Sequence, residues 1–133
     1  MPLIWNDSLI TGVRQIDLQH QELIELINAL EAAHAAGRRQ EAIEEELPKL
    51  NAYVLFHFGT EGSLMPAADP DHVAAHRRQH AEFADRIAAL RQKPAENIDL
   101  PELIAYLNRW LVEHIMKTDR ELGRQILAQG KTG

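Results

Sequence analysis

Two pairs of residues have the spacing of ligands on a helix face. His57 and Glu61 stand four apart, and so do His76 and His80. Four residues of α-helix turn through about 400° and rise about 6 Å, so each pair leaves one face. Side chains so placed can reach one metal ion or two neighbouring ions. Either pair alone is more often an ordinary helix feature than a metal site. Their heights in the chain change that balance. His20 falls near the start of a first helical stretch, and His57 and Glu61 near the end of a second. His76 and His80 lie in the first half of a third, and His114 and Asp119 at the end of a fourth. In an antiparallel bundle all these positions come to one end. Five imidazoles and two carboxylates then share one level. Burying them unpaired would be costly, and a metal cluster would satisfy them. Mixed imidazole and carboxylate ligands suit iron and other first-row metals. Independent surface histidines have no reason to align in this way.

One spacing departs from a regular helix. His114 and Asp119 are five apart, about 140° away from a common face. A π-turn or an unwound helix end would bring both inward, and Gly123 shortly after suggests such local irregularity. Otherwise Asp119 caps a following helix. Two of the seven histidines are set aside. His34 lies about 21 Å along the axis from His20, toward the opposite end of the bundle. His72 forms a second four-residue frame with His76, but it falls in the first helical turn, toward solvent. The frame of His76 and His80 places Phe83 one turn further, toward the core, and is preferred.

The elements that must carry these residues are legible from punctuation and period. Residues 1–16, with Pro2, Trp5, Asp7 and Gly12, show no sustained helical period and are expected to form an N-terminal arm. The first helix is expected from about Asp17 to Ala36, with Leu18, Leu23, Ile24, Leu26, Ile27 and Leu30 on its apolar face and Gly37 as its stop. The second runs from about Arg39 to Leu64, with a kink or break at Pro48. The third begins at Asp69 and Pro70, an N-cap followed by a first-turn proline, and runs to about Gln92. The fourth begins at Asp99, where Glu102 completes a capping box, and ends near Thr118 or Asp119. A short fifth helix follows from about Arg120 to Gln129. Short loops make neighbouring helices antiparallel. The expected fold is all-α: an up-down-up-down four-helix bundle over 17–119, with the arm before it and a short C-terminal helix and tail over 120–133. All of 1–133 makes one domain.

Composition narrows the function. Hydrophobic residues make up 45% of the 133 residues, enough for one core, and aromatics only 5%, which favours helix over sheet. The absence of cysteine excludes disulfides, thiolate metal sites and a cysteine nucleophile. A net charge of −6 argues against nucleic acid or anionic membrane as partner. No apolar run is long enough to span a bilayer, and the N-terminus lacks the pattern of an export signal. A cytoplasmic protein is expected.

The ordered set of motifs resembles the hemerythrin family, in particular its single-domain bacterial members. The resemblance covers nearly the whole chain. It begins with Trp5 and Gly12 ahead of Asp17 and His20, and continues through His57, Phe58 and Glu61 with Leu64 and Met65 following. It ends with His76, His80 and Phe83, then Trp110, His114 and Asp119. Each piece is weak alone; all four in order are specific. The resemblance implies a non-haem di-iron centre cycling between Fe2+ and Fe3+. One iron would take His76, His80 and His114, and the other His20 and His57. Glu61 and Asp119 would bridge them, together with a solvent-derived oxo or hydroxo group. The two-histidine iron would keep an open position for molecular oxygen. Two departures from many relatives stand out. Gly62 replaces an acidic residue after the bridging glutamate. Ala67, Ala68, Asp69 and Pro70 replace a segment that carries a tyrosine. Neither position is a ligand in the family.

Spacing indicates what would surround the open position. Leu23 shares a face with His20, and Leu111 with His114. Trp110 stands one turn before His114, and Ile115 adjoins it. Each can be a plain core residue and a pocket wall at once. A dry wall limits access of water and protons to bound oxygen. The leading expectation is a non-enzymatic protein that binds oxygen reversibly, for storage, for delivery to an oxygen-using enzyme, or for sensing. A di-iron oxidase, peroxidase or nitric-oxide-handling protein is the alternative. Ferritin-like di-iron enzymes use paired Glu-x-x-His motifs and four carboxylates, which this histidine-rich set lacks. A two-metal hydrolase would need an open polar cleft. A purely structural bundle would leave the alignment of heights unexplained.

Overall fold

The computed structural model describes residues 3–130; the first two residues of the expected arm and residues 131–133 of the expected tail lie outside it. The described residues form helices without a strand. Helix α1 is Arg14–Ala35. Helix α2 covers 39–64, a continuous run of Arg39–Glu41, a π-helical turn Ala42–Glu46, and Leu47–Leu64. Helix α3 is Pro70–Arg91 and α4 is Leu100–Glu113. A second π-helical turn, His114–Asp119, leads from α4 without interruption into α5, Arg120–Gly130. Short connections at 36–38, 65–69 and 92–99 return each helix antiparallel to the one before, giving the expected up-down-up-down bundle. The expected short C-terminal helix is present as α5 and continues directly from α4 through this turn.

The helix ends follow the expected chemistry in most places. Gly37 adopts φ +76°, a left-handed conformation that costs glycine nothing, and the amide of Arg38 donates to the carbonyl of Ala33 at 2.9 Å. Pro70 opens α3 behind Asp69, whose side chain makes no cap bond, while the Asp99 side chain accepts from the amide of Glu102 at 3.1 Å. The start of α1 differs from expectation. Asp17 lies inside the first turn, and its carboxylate reaches back to the amide and hydroxyl of Thr11 at 2.8 and 2.7 Å. It ties the arm to the helix instead of beginning it. Pro48 also acts differently. In a regular helix its ring would clash with the carbonyl of Glu44; the wider π-turn just before it absorbs the misfit without a break. Leu18 is exposed. It stands two residues before the inward His20, about 200° round the helix.

The apolar core fills the half of the bundle away from the histidines. Ile24, Ile27 and Leu30 of α1 meet Leu47, Leu50 and Val54 of α2, Phe83 and Ile87 of α3, and Leu103 and Leu107 of α4. Burial of each such side chain contributes roughly 1.5–3 kcal/mol. A smaller cluster, Ile16, Met65 and Leu122, with Val13, Leu64, Val73 and Ile126 packed on it, closes the other end. Gly123 belongs to this closure: a Cβ there would lie 2.6 Å from the carbonyl oxygen of Thr11. The glycine marks a close approach of α5 to the arm, a few residues past the irregular turn.

Candidate metal centre

Between the two apolar clusters lies a level of buried polar side chains. His20 comes from α1, His57 and Glu61 from α2, His76 and His80 from α3, and His114 and Asp119 from the second π-turn. All seven are buried, and Glu61, His20, His76 and Asp119 are fully so. The π-turn resolves the awkward five-residue spacing: its wider ring of backbone lets His114 and Asp119 face inward together.

The atoms fall into two groups. Glu61, His76, His80, His114 and Asp119 form one, and His20, His57, Glu61 and Asp119 the other; within each, one ligand atom per residue lies within 4.8 Å of the rest. The carboxylates belong to both. Asp119 directs Oδ2 to His20 Nε2 at 2.8 Å and Oδ1 to the Nε2 atoms of His76 and His114, both at 3.0 Å. Glu61 Oε1 lies 3.4 Å from His57 Nε2 and 3.0 Å from His80 Nε2. His80 and His114 bring their Nε2 atoms within 3.2 Å of each other.

These groups fit cations better than they fit one another. Both oxygens of Glu61 and of Asp119, and the Nε2 atoms of His20, His57 and His76, are buried without a well-directed hydrogen bond. Orphaned polar atoms of this kind cost free energy unless a shared partner takes their lone pairs. The titration behaviour carries the same tension. Burial pushes His57 down to about 4, against the field of Glu61. Burial also disfavours the charge on His76, but its close polar contacts with the carboxylates of Asp119 and Glu61 outweigh it and raise that imidazole to about 9. Burial would raise Asp119, yet the field of His114 and the close contacts of His114, His20 and His76 hold it well below the usual carboxylate range. Two cations at the centre would satisfy all these groups at once.

Residues beyond this set hold it in place. His57 Nδ1 lies 2.7 Å from Gln19 Oε1, and His114 Nδ1 lies 2.8 Å from Gln79 Oε1. His72, set aside on sequence, is half-buried and places Nε2 3.0 Å from His76 Nδ1. It reaches the cluster from behind a ligand candidate. His34 stays at the far end of α1. Phe58 stacks on His80 at 3.7 Å, and Trp110 stacks on His114 at 4.4 Å. The glutamines, His72 and the stacking role of Phe58 were not found in the sequence. The one available signal was a glutamine immediately before a histidine, at Gln19 and again at Gln79.

A small cavity of about 10 Å³ adjoins His57 and His114, with Leu23, Phe58, Trp110 and Leu111 in its walls. Ile115, expected beside them, is fully buried in the apolar core and does not line it. As the residue next to the inward His114 it points about 100° away.

Comparison with known proteins agrees with this geometry. The family model for the hemerythrin HHE cation binding domain matches residues 11–126. A bacteriohemerythrin from Stenotrophomonas maltophilia is 35% identical over 95% of this chain and 82% of its own length. A bacteriohemerythrin from Methylococcus capsulatus is 31% identical over 85% of this chain and 87% of its own. The crystal structure of a hemerythrin point mutant superposes with a TM-score of 0.85 at 29% identity, covering 95% of this chain and 98% of that one. A four-helix bundle with a buried cation-binding centre of histidines and carboxylates defines the class, and the chain belongs to the hemerythrin family. Membership implies non-haem iron at the cluster.

Proposed function

We propose that the chain is a single domain that binds molecular oxygen reversibly at a di-iron centre, without catalytic turnover, for storage, delivery or sensing in the cytoplasm. His76, His80 and His114 would hold one iron and His20 and His57 the other, with Glu61, Asp119 and a solvent-derived oxo or hydroxo group between them. The observation that carries this reading is the pair of ligand groups sharing both carboxylates. A five-ligand group and a four-ligand group make the two positions unequal, and an iron held by the smaller group, with His20 and His57, would be the one with fewer protein ligands and so the one to take oxygen.

Iron held there would supply a redox-active coordination site. The chain's own residues decide what such a site can do. Leu23, Leu111, Phe58 and Trp110 wall the cavity next to His57 and exclude bulk water. The lining groups that readily exchange protons are His57, His114 and Asp119, and all three are ligand candidates. An oxidase would need a free acid or base within hydrogen-bond reach of the bound oxygen. The cluster of Ile16, Met65 and Leu122 seals the opposite side.

Anaerobic iron loading tests the proposal. The protein should take up about two irons per chain, as its two ligand groups require. Air should then produce a new visible spectrum, and inert gas should restore the original one. Saturation near one iron, or retention of zinc alone, rejects the di-iron assignment. Decay within one turnover, with a substrate oxidised or peroxide released, rejects reversible binding in favour of a di-iron enzyme.

A further inference from the structure

We propose that Gln19 and Gln79 are positioning residues that fix which ring nitrogen of His57 and His114 faces the metals, one glutamine for each ligand group. The metal consequence rests on the di-iron reading; the imidazole geometry does not. The direction of the hydrogen bonds can be followed from a fixed end. The carbonyl oxygen of Phe56 can only accept, so the Thr60 hydroxyl donates to it at 3.3 Å. The Thr60 oxygen is then free to accept from Gln19 Nε2 at 3.1 Å. With its amide nitrogen committed, Gln19 presents Oε1 to His57 Nδ1 at 2.7 Å. An acceptor at that place requires the proton on Nδ1. Nε2 then keeps its lone pair, and it points into the cluster where it has no other partner. Neutral imidazole in water prefers the opposite tautomer, so the protein must impose this one.

The other half of the bundle repeats the device. Gln79 Oε1 accepts from the Thr118 hydroxyl at 2.8 Å and faces His114 Nδ1 at 2.8 Å. Each glutamine immediately precedes a ligand candidate of its own helix, His20 or His80, and serves a histidine on the next helix. One step along a helix is about 100°, which turns the amide from the centre toward the neighbouring helix. The remaining imidazoles lack this arrangement. His76 Nδ1 faces His72, and His20 Nδ1 is buried without a hydrogen bond. A carboxamide is a neutral acceptor. It orients the ring without the added basicity that a carboxylate confers on a metal-bound histidine.

Two measurements on the full chain decide the matter. In metal-free protein at neutral pH, nitrogen-15 NMR of the imidazole rings should show His57 protonated at Nδ1, and Gln19→Leu should lose that preference. His57 protonated at Nε2, or a tautomer unchanged by Gln19→Leu, overturns the proposal whether or not iron binds. In iron-loaded protein, Gln19→Leu and Gln79→Leu should each weaken iron affinity about 10–100-fold. The near-isosteric Gln79→Glu should restore affinity while moving the midpoint potential lower, a shift that a merely structural side chain would not produce. Unchanged affinity and potential in Gln79→Leu and Gln79→Glu also overturn it. If wild type takes up no iron, the di-iron reading has failed, and the NMR result still decides the role of Gln19.

Discussion

The bundle contains two π-turns, and they arise for different reasons. The turn Ala42–Glu46 lies in the apolar half, just before Pro48, and carries no group aimed at the cluster. Its buried residue is Ala42. The turn His114–Asp119 lies at the level of the histidines and brings His114 and Asp119 to face the cluster together. The first accommodates a proline ring. The second gathers two ligand candidates that a regular helix would hold about 140° apart. The same backbone irregularity is thus a local repair in one place and part of the site in the other. What separates them is what the turned-in side chains face.

The largest effect should come from the second turn. Asp119→Ala removes the carboxylate that places one oxygen toward each ligand group. The variant should lose at least one of the two irons expected, read by elemental analysis after anaerobic loading. Two irons retained would reduce Asp119 to a helix-turn residue and erase the contrast between the turns.

Next in size is an effect on the chemistry alone. Leu23 and Leu111 line the cavity beside His57 without any atom that could ligate a cation. Replacing either with Asn would admit water and a proton source to bound oxygen. Iron content should stay at the wild-type value, while stopped-flow spectra show a shorter-lived oxygenated form. Lifetimes unchanged in both variants would place the oxygen position elsewhere.

Much of this was legible because helices convert spacing into direction. His57 with Glu61, and His76 with His80, needed only the 3.6-residue period, and the common height of all seven groups needed only short loops. The five-residue gap between His114 and Asp119 was itself the trace of a π-turn. What stayed hidden depends on the rotation of one helix relative to another. Gln19 and Gln79 contact histidines of neighbouring helices, 38 and 35 residues away. No single-helix period contains such a pair. Gly123 follows the irregular turn as expected, but its close approach to Thr11 stayed hidden because that neighbour lies across the fold. Ile115 failed for a simpler reason: adjacency to a ligand in sequence was taken for adjacency in space, and a helix turns about 100° per residue. Leu18 was counted with the apolar face of the first helix, but it lies on the side away from His20.

His72 and His34 make a smaller test between the two ends of the bundle. His72 pairs with His76 from outside the ligand groups, and His34 lies at the far end of α1. His72→Ala should keep both irons but bind them less tightly, by up to about tenfold, the lower part of the range for an outer partner of a ligand. His34→Ala should match wild type. Competition with a chelator of known affinity reads both. Loss of iron in the His72 variant with full retention in His80→Ala would mean that the wrong frame of α3 serves as ligand.

The smallest effect belongs to the first π-turn. Pro48→Ala restores an amide donor and removes the ring that the wider turn accommodates. Alanine is favoured over proline in a helix interior by about 3 kcal/mol, but the native backbone has already relieved most of that misfit. The freed chain also gains disorder when unfolded, which lowers stability by about 0.4–1 kcal/mol. The two effects oppose, so thermal stability should move by no more than about 1 kcal/mol in either direction. Pro48 precedes His57 by nine residues, about 13 Å along the helix axis. The apolar layer of Leu50 and Val54 separates it from the cluster. Iron content and the visible spectrum should therefore match wild type. A shifted spectrum or a lost iron would show that the far turn sets the register of α2 at His57 and Glu61, and that the two turns act together on one centre.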